Sequence, residues 1–392
     1  MIGGDALFQL FEIPFPSIRD WPYLGSFFGF NLGQGLCLLI FWLFNILIVA
    51  FPKGAAVNVI KHLEFVASPM LLLMGVAIFA WSWASVGSLS KLIDATYQIQ
   101  EAKLQQEEAG TTGQFSFWRV AIANLTAVVA IWSTLANNVL DFTRYAKSQR
   151  HQILGQVVGF PLTNVACSFL GILMTSAAYV VFQGELIFNP VDLASKFESK
   201  WVVAIMLIFA ILATLTTNIA ANMLSPAHDF SNLLPRFIGL KLGILITAIC
   251  GMLFMPWKLI SNPNNFVFRW LIGSSSFMGA LTGVMLSDFF LVKRMHLQID
   301  ALYSGSLSSG SVPAIENPYR YYFGFNLLAF VALLLGSLPI LPGFFSALGL
   351  YSQDVLPSFM GWIYDASWFV TFGLSFVSHF LIQTIVKKIK KN

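Results

Sequence analysis

Nine apolar runs dominate this 392-residue chain, near 33-51, 62-86, 117-143, 153-182, 201-224, 237-257, 266-292, 322-345 and 366-386. Each is long enough to cross about 30 Å of hydrocarbon as a helix. Inside a bilayer the backbone must satisfy its own polar groups, which leaves only helices and closed barrels, and runs of this length without period-two alternation are helices. The expected fold is therefore an all-α polytopic membrane protein. Charged residues make up 10% of the chain, against about 25% in a soluble domain, and they cluster between the apolar runs. A soluble globular fold is excluded, and nothing supports nucleic-acid binding.

The distribution of basic residues sets the direction of the spans. If the C-terminal Lys387, Lys388, Lys390 and Lys391 are cytoplasmic, that face carries 14 of the 22 Lys and Arg, while the opposite face carries 12 of the 18 acidic residues. Positive-inside bias then gives nine spans in the inner (cell) membrane, with the N-terminus outside and the C-terminus cytoplasmic. Residues 1-32 become an extracytoplasmic N-terminal segment, interrupted by Asp5 and Glu12 and lacking the basic and apolar regions of a cleavable signal. Residues 87-116, rich in Gln and Glu, read as a polar outer loop that connects rather than binds.

Catalytic and metal chemistry find little footing. Cys37, Cys167 and Cys250 lie far apart in apolar runs, so neither a disulfide framework nor a metal motif emerges. The five His residues show no ligand spacing, and His379 sits alone in the last span. There is no phosphate-binding glycine loop and no paired intramembrane carboxylate. The chain reads as no enzyme and carries no cofactor motif.

Polar residues inside the spans are costly and informative. Ala213 to Asn222 holds Thr216, Thr217, Asn218 and Asn222, and the two asparagines, four apart, share a helical face. Hydroxyls beside a backbone carbonyl offer hard oxygen ligands to a small cation such as Na⁺, and an amide offers paired donor and acceptor to a planar ligand. The same residues also serve as hydrogen-bonding glue between helices, and both readings stand open. In the span 117-143, Trp132 is followed by Ser133-Thr134, small hydroxyl residues that accommodate an unwound turn. Such an indole suits stacking on a flat ring or packing in a core. Asp141 and Arg144 are spaced to pair at the inner end. Ser274 to Ser276 and Gly279-x-x-x-Gly283 read first as close helix packing and second as a gate.

Six stretches together resemble the nucleobase:cation symporter family 1. They are Ile2 to Ala6, Ile60 to Glu64, Asn138 to Gln149, Ala213 to Asn222, Ser225 to Phe230 and Gly283 to Arg294. The resemblance implies two five-helix inverted repeats plus two extra helices. The nine spans would be helices four to twelve of that fold, with the first three absent. The segments would then be 33-86, the remainder of the first repeat; 117-294, the second repeat; and 295-392, two C-terminal helices with a basic tail. Residue by residue, it implies that Trp132 packs against the substrate ring and that Asn222, with Asn218 beside it, hydrogen-bonds that ring. Ala213, Thr216 and Thr217 would supply half of a sodium site. The implied activity is uptake of a nucleobase, allantoin or hydantoin-like compound by alternating access, coupled to Na⁺ or H⁺. The rival reading is a non-transporting truncated membrane fragment or partner subunit of such a permease.

Overall fold

The computed structural model describes residues 1–50, 56–108, 117–144, 146–260, 270–303, 319, 321, 325–350 and 355–389. In chain order the main helices are α1 (Ile2–Glu12), α2 (Leu32–Ala50), α3 (Ala56–Val86) and α4 (Leu89–Glu108). There follow α5 (Phe117–Trp132), α6 (Leu135–Thr143), α7 (Gln149–Val181), α8 (Lys200–Leu233) and α9 (Leu240–Leu253). The chain then forms α10 (Ile272–Val292), α11 (Leu327–Ala347) and α12 (Ser367–Ile389). Among the described residues seven helices are long and apolar enough to span a bilayer, and α5 and α9 are shorter apolar helices at the two remaining expected positions. The all-α polytopic architecture is thus observed. The starts of the expected spans 266-292 and 322-345, residues 109–116 of the expected loop, and Lys390 and Lys391 lie outside the described residues.

Large side chains such as Leu72, Leu162 and Leu381 are exposed, as a lipid-facing helix requires. Two compact units divide the chain, one of 1–113 with 145–260 and one of 114–144 with 261–392.

In the first unit, α2, α8 and α9 bury Phe41, Val49, Leu215, Ile219, Met223, Ile244 and Ala248 against one another. A second core joins Ala6 of α1 and Leu207 and Ala210 of α8 to Val191 and Ala194 in the short helix Pro190–Ala194. Within the N-terminal segment 1-32, α1 buries Gly3, Gly4, Ala6 and Phe8. One sequence expectation is corrected here. Residues 89–108 of the expected loop form a helix, since their Gln, Glu and Lys are good helix formers and Leu92 and Ala95, three apart, provide a buried stripe. Leu92 packs with Val86, Leu173 and Ala177, and the hydroxyls of Thr96 and Ser176 lie 2.8 Å apart.

In the second unit, α10 and α12 meet through small residues. A Cβ on Gly279 would lie 2.6 Å from the Trp368 carbonyl oxygen, and one on Gly283 would run into that of Phe372. The Thr371 hydroxyl donates to the Ser276 carbonyl at 2.7 Å, locking the two helices together. The hydroxyls of Ser274, Ser275 and Ser276 donate back to Leu271, Ile272 and Gly273. The 273–283 stripe is therefore packing, the first of the two readings. Arg119 of α5 pairs with Asp365 at 2.6 Å, and the expected Arg144–Asp141 pair forms at 3.1 Å.

Candidate functional site

The site begins with α8, whose apolar first half anchors it and whose polar stretch has to be satisfied locally. Two threonines do so by donating backwards, Thr214 to the Ala210 carbonyl at 2.8 Å and Thr216 to that of Leu212 at 3.0 Å. A hydroxyl that commits its proton to the preceding turn keeps its oxygen lone pairs. From Asn218 to Leu224 the helix widens into π-type turns, a form that recurs at functional positions.

A cavity of about 370 Å³ opens against this stretch, within the range of small-molecule sites. Its lining comes from Ala213, Thr214, Thr217, Asn218 and Asn222 of α8, Phe41 of α2, and Met1, Ile2 and Gly3 at the start of the chain. Gly3 is where α1 comes closest to its neighbours. A Cβ there would collide with the Phe41 ring and sit 2.7 Å from the Thr214 hydroxyl. Gly4 does the same against Leu38, whose Cα would lie 2.9 Å away. The two glycines of the Ile2-Gly3-Gly4 stretch thus set how near α1 packs to the cavity wall.

Four of the six residues singled out by sequence meet at this cavity: Ala213, Thr217, Asn218 and Asn222. Asn222 donates to Asn218 Oδ1 at 3.2 Å, as their spacing implied. Thr216 is 8% exposed and does not line it. Trp132 belongs to the second unit, where it ends α5 with 39% of its surface exposed. Directly after it the helix breaks at Ser133-Thr134, with the Ser133 hydroxyl turned back to the Ala130 carbonyl at 2.9 Å.

Sequence reasoning missed two contributors. Phe41 gives the cavity an aromatic wall. Asn45 is fully buried on α2 and accepts from Asn218 Nδ2 at 3.0 Å. Its signal was available, since it is the one amide side chain in the run from Leu36 to Ala50 of α2.

A larger cavity of about 780 Å³ lies near the other end of α1, lined by Asp5, Gln9, Glu12, Arg19, Asp192 and Lys200 among others. Glu12 and Arg19 pair there at 2.7 Å. Among the described residues no group of three or more His, Cys, Asp or Glu is placed to hold a metal ion. Beside the cavity the Ala213 carbonyl accepts from the Thr216 hydroxyl at 3.1 Å.

Comparison with known proteins gives a consistent answer. The family of permeases for cytosine/purines, uracil, thiamine and allantoin matches residues 1–371. Purine-uracil permease NCS1 of Arabidopsis thaliana is 33% identical over 388 residues, covering 98% of this chain and 59% of that protein. Allantoin permease of Bacillus subtilis is 32% identical over 375 residues, 94% of this chain and 68% of that protein. Uracil permease of Saccharomyces cerevisiae is 29% identical over 356 residues, 88% of this chain and 52% of that protein. No solved structure matches significantly. With residues 1–371 of this chain matched and its relatives permeases rather than enzymes, this multi-pass membrane chain belongs to the family of permeases for cytosine/purines, uracil, thiamine and allantoin.

Proposed function

We propose that the protein imports a nucleobase, or a related ureide or hydantoin, across the cell membrane by alternating access coupled to a cation. The observation that carries this reading is the cavity on α8, which puts two amide side chains, a threonine hydroxyl and an aromatic wall around a space suited to a small planar ring. Cyclic amides present N–H and C=O groups side by side, and an asparagine amide answers both. The edge of such a ligand would bond Asn222, with Asn218 behind it. The proposed role of Trp132, stacking on a substrate ring, rests on the family resemblance.

The co-transported cation in this proposal is Na⁺, taken by the Ala213 carbonyl and the hydroxyls of Thr217 and Thr216. The Thr216 hydroxyl has already committed its proton to its own helix, which leaves its oxygen to face a cation. These oxygens and the amides sit on one stretch of one helix, so ordering that stretch for one ligand favours the other, and each must raise the other's affinity by the same factor. Alternating access then exposes this stretch to one side and then the other. The proposed orientation, with the C-terminus cytoplasmic, is supported by the 14 of 22 basic residues on that face.

The test is binding of [¹⁴C]uracil and [¹⁴C]allantoin to the purified protein with NaCl or choline chloride. The reading expects saturable binding of at least one ligand, strengthened by Na⁺. Binding of neither in either salt, by folded protein, would refute it.

A further inference from the structure

Three asparagines form a chain from the core of the first unit to the cavity, and its direction is fixed at the buried end. Asn45 faces the Phe41 carbonyl at 2.7 Å. A backbone carbonyl can only accept, so the atom of Asn45 that meets it is Nδ2, and Oδ1 turns to Asn218. Asn218 must then donate through Nδ2, at 3.0 Å, which turns its own Oδ1 to Asn222. Asn222 must in turn donate, at 3.2 Å. Each amide has one orientation that satisfies its neighbour, and the acceptor-only Phe41 carbonyl sets it for all three. What Asn222 has left for the cavity it lines is Oδ1 and the second hydrogen of Nδ2.

We infer that Asn45 is a positioning residue that holds the Asn218–Asn222 pair in one polarity, and so makes the point of the site that Asn222 Oδ1 faces demand an N–H donor from its ligand. The inference rests on the proposed function, in that Asn222 meets the substrate, and it adds a residue that touches no ligand. Asn45 is fully buried, whereas Asn222 is exposed to the cavity. A buried amide with both ends engaged is held far more firmly than one at a cavity wall. Without the anchor the outer two amides can turn over together and offer N–H groups where Oδ1 stood.

The test compares uracil with two oxazinedione isosteres in which a ring oxygen replaces one or the other ring N–H. They change a donor into an acceptor at nearly constant shape. Affinities are measured on purified wild-type protein and on Asn45→Leu, Asn45→Asp and Asn222→Ala. Wild type should bind uracil at least about tenfold more tightly than one of the isosteres, because an unmatched donor position leaves Oδ1 facing an oxygen. In Asn45→Leu that ratio should fall to within about threefold. Asn45→Asp, which keeps an acceptor facing Asn218, should retain most of it. Simple misfolding lowers every affinity together and leaves the ratio standing, so the ratio separates positioning from structural support. If Asn45→Leu does not fold, Asn45→Ser, too short to reach Asn218, is read the same way. An unchanged ratio in the folded variant while Asn222→Ala weakens uracil binding would overturn the inference alone. Unchanged uracil binding in Asn222→Ala would overturn the reading of the cavity and the inference with it.

Discussion

Asn222→Ala separates recognition from folding more cleanly than any other single change at the cavity. The side chain is exposed to the cavity, and its bond to Asn218 is 3.2 Å long. Losing such a bond where water can replace it costs at most about 1 kcal/mol of stability. In the complex the cost is larger. A ligand amide edge stripped of its hydrogen-bond partner at the cavity of about 370 Å³ loses about 1–3 kcal/mol. That corresponds to a dissociation constant weaker by about 5- to 150-fold. The assay is equilibrium binding of [¹⁴C]uracil and [¹⁴C]allantoin to purified protein, run beside a thermal-shift measurement. The expected result is a large loss of affinity with a melting temperature moved by no more than a few degrees. Affinity within twofold of wild type for every ligand that wild type binds would refute the argument from unpaired groups.

Three further outcomes follow from the structure. Thr217→Ala should remove most of the Na⁺ dependence of binding; dependence equal to wild type would take Thr217 out of the cation site. Gly283→Ala should lower the melting temperature by several degrees, because its Cβ meets the Phe372 backbone, which cannot yield, and overpacking costs about 1–3 kcal/mol. Gly373→Ala, with nothing within 4 Å of its Cβ, should be neutral or slightly stabilising, and equal effects of the two would refute the packing account. Burial pushes the Asp365 carboxyl above its usual range, and the Arg119 guanidinium only partly offsets this. A carboxyl raised in the fold contributes stability at low pH that is lost as pH rises through its folded pKa, and losing Arg119 enlarges that loss. Arg119→Gln should therefore melt close to wild type near pH 4 and progressively lower toward pH 7. A constant gap across that window would show that Asp365 is not the titrating group.

The spans were legible because length and hydropathy alone decide what can cross hydrocarbon, whatever the neighbours do. The break after Trp132 was legible too, from two hydroxyl residues able to satisfy freed backbone groups. The helix at Leu89–Glu108 was not, because its polar composition hid two buried residues, Leu92 and Ala95, and Leu92 becomes meaningful only once Leu173 and Ala177 are there to cover it. At the cavity, a spacing of four put Asn218 and Asn222 on one face, and that follows from helix geometry. Thr216 does not line the cavity, since successive residues point about 100° apart on a helix. Asn45 escaped notice because its partners are 4 and 173 residues away, and only the second of them ties it to the site.

The central claim is that this chain moves its ligand across a membrane. Its most direct test is uptake of [¹⁴C]uracil and [¹⁴C]allantoin into proteoliposomes holding the purified protein, with and without an inward Na⁺ gradient. The account predicts saturable uptake of at least one of them above protein-free vesicles, driven by the gradient and abolished when it is dissipated. Folded protein that binds the ligand yet gives no uptake above protein-free vesicles would contradict it and leave a non-transporting membrane subunit in its place.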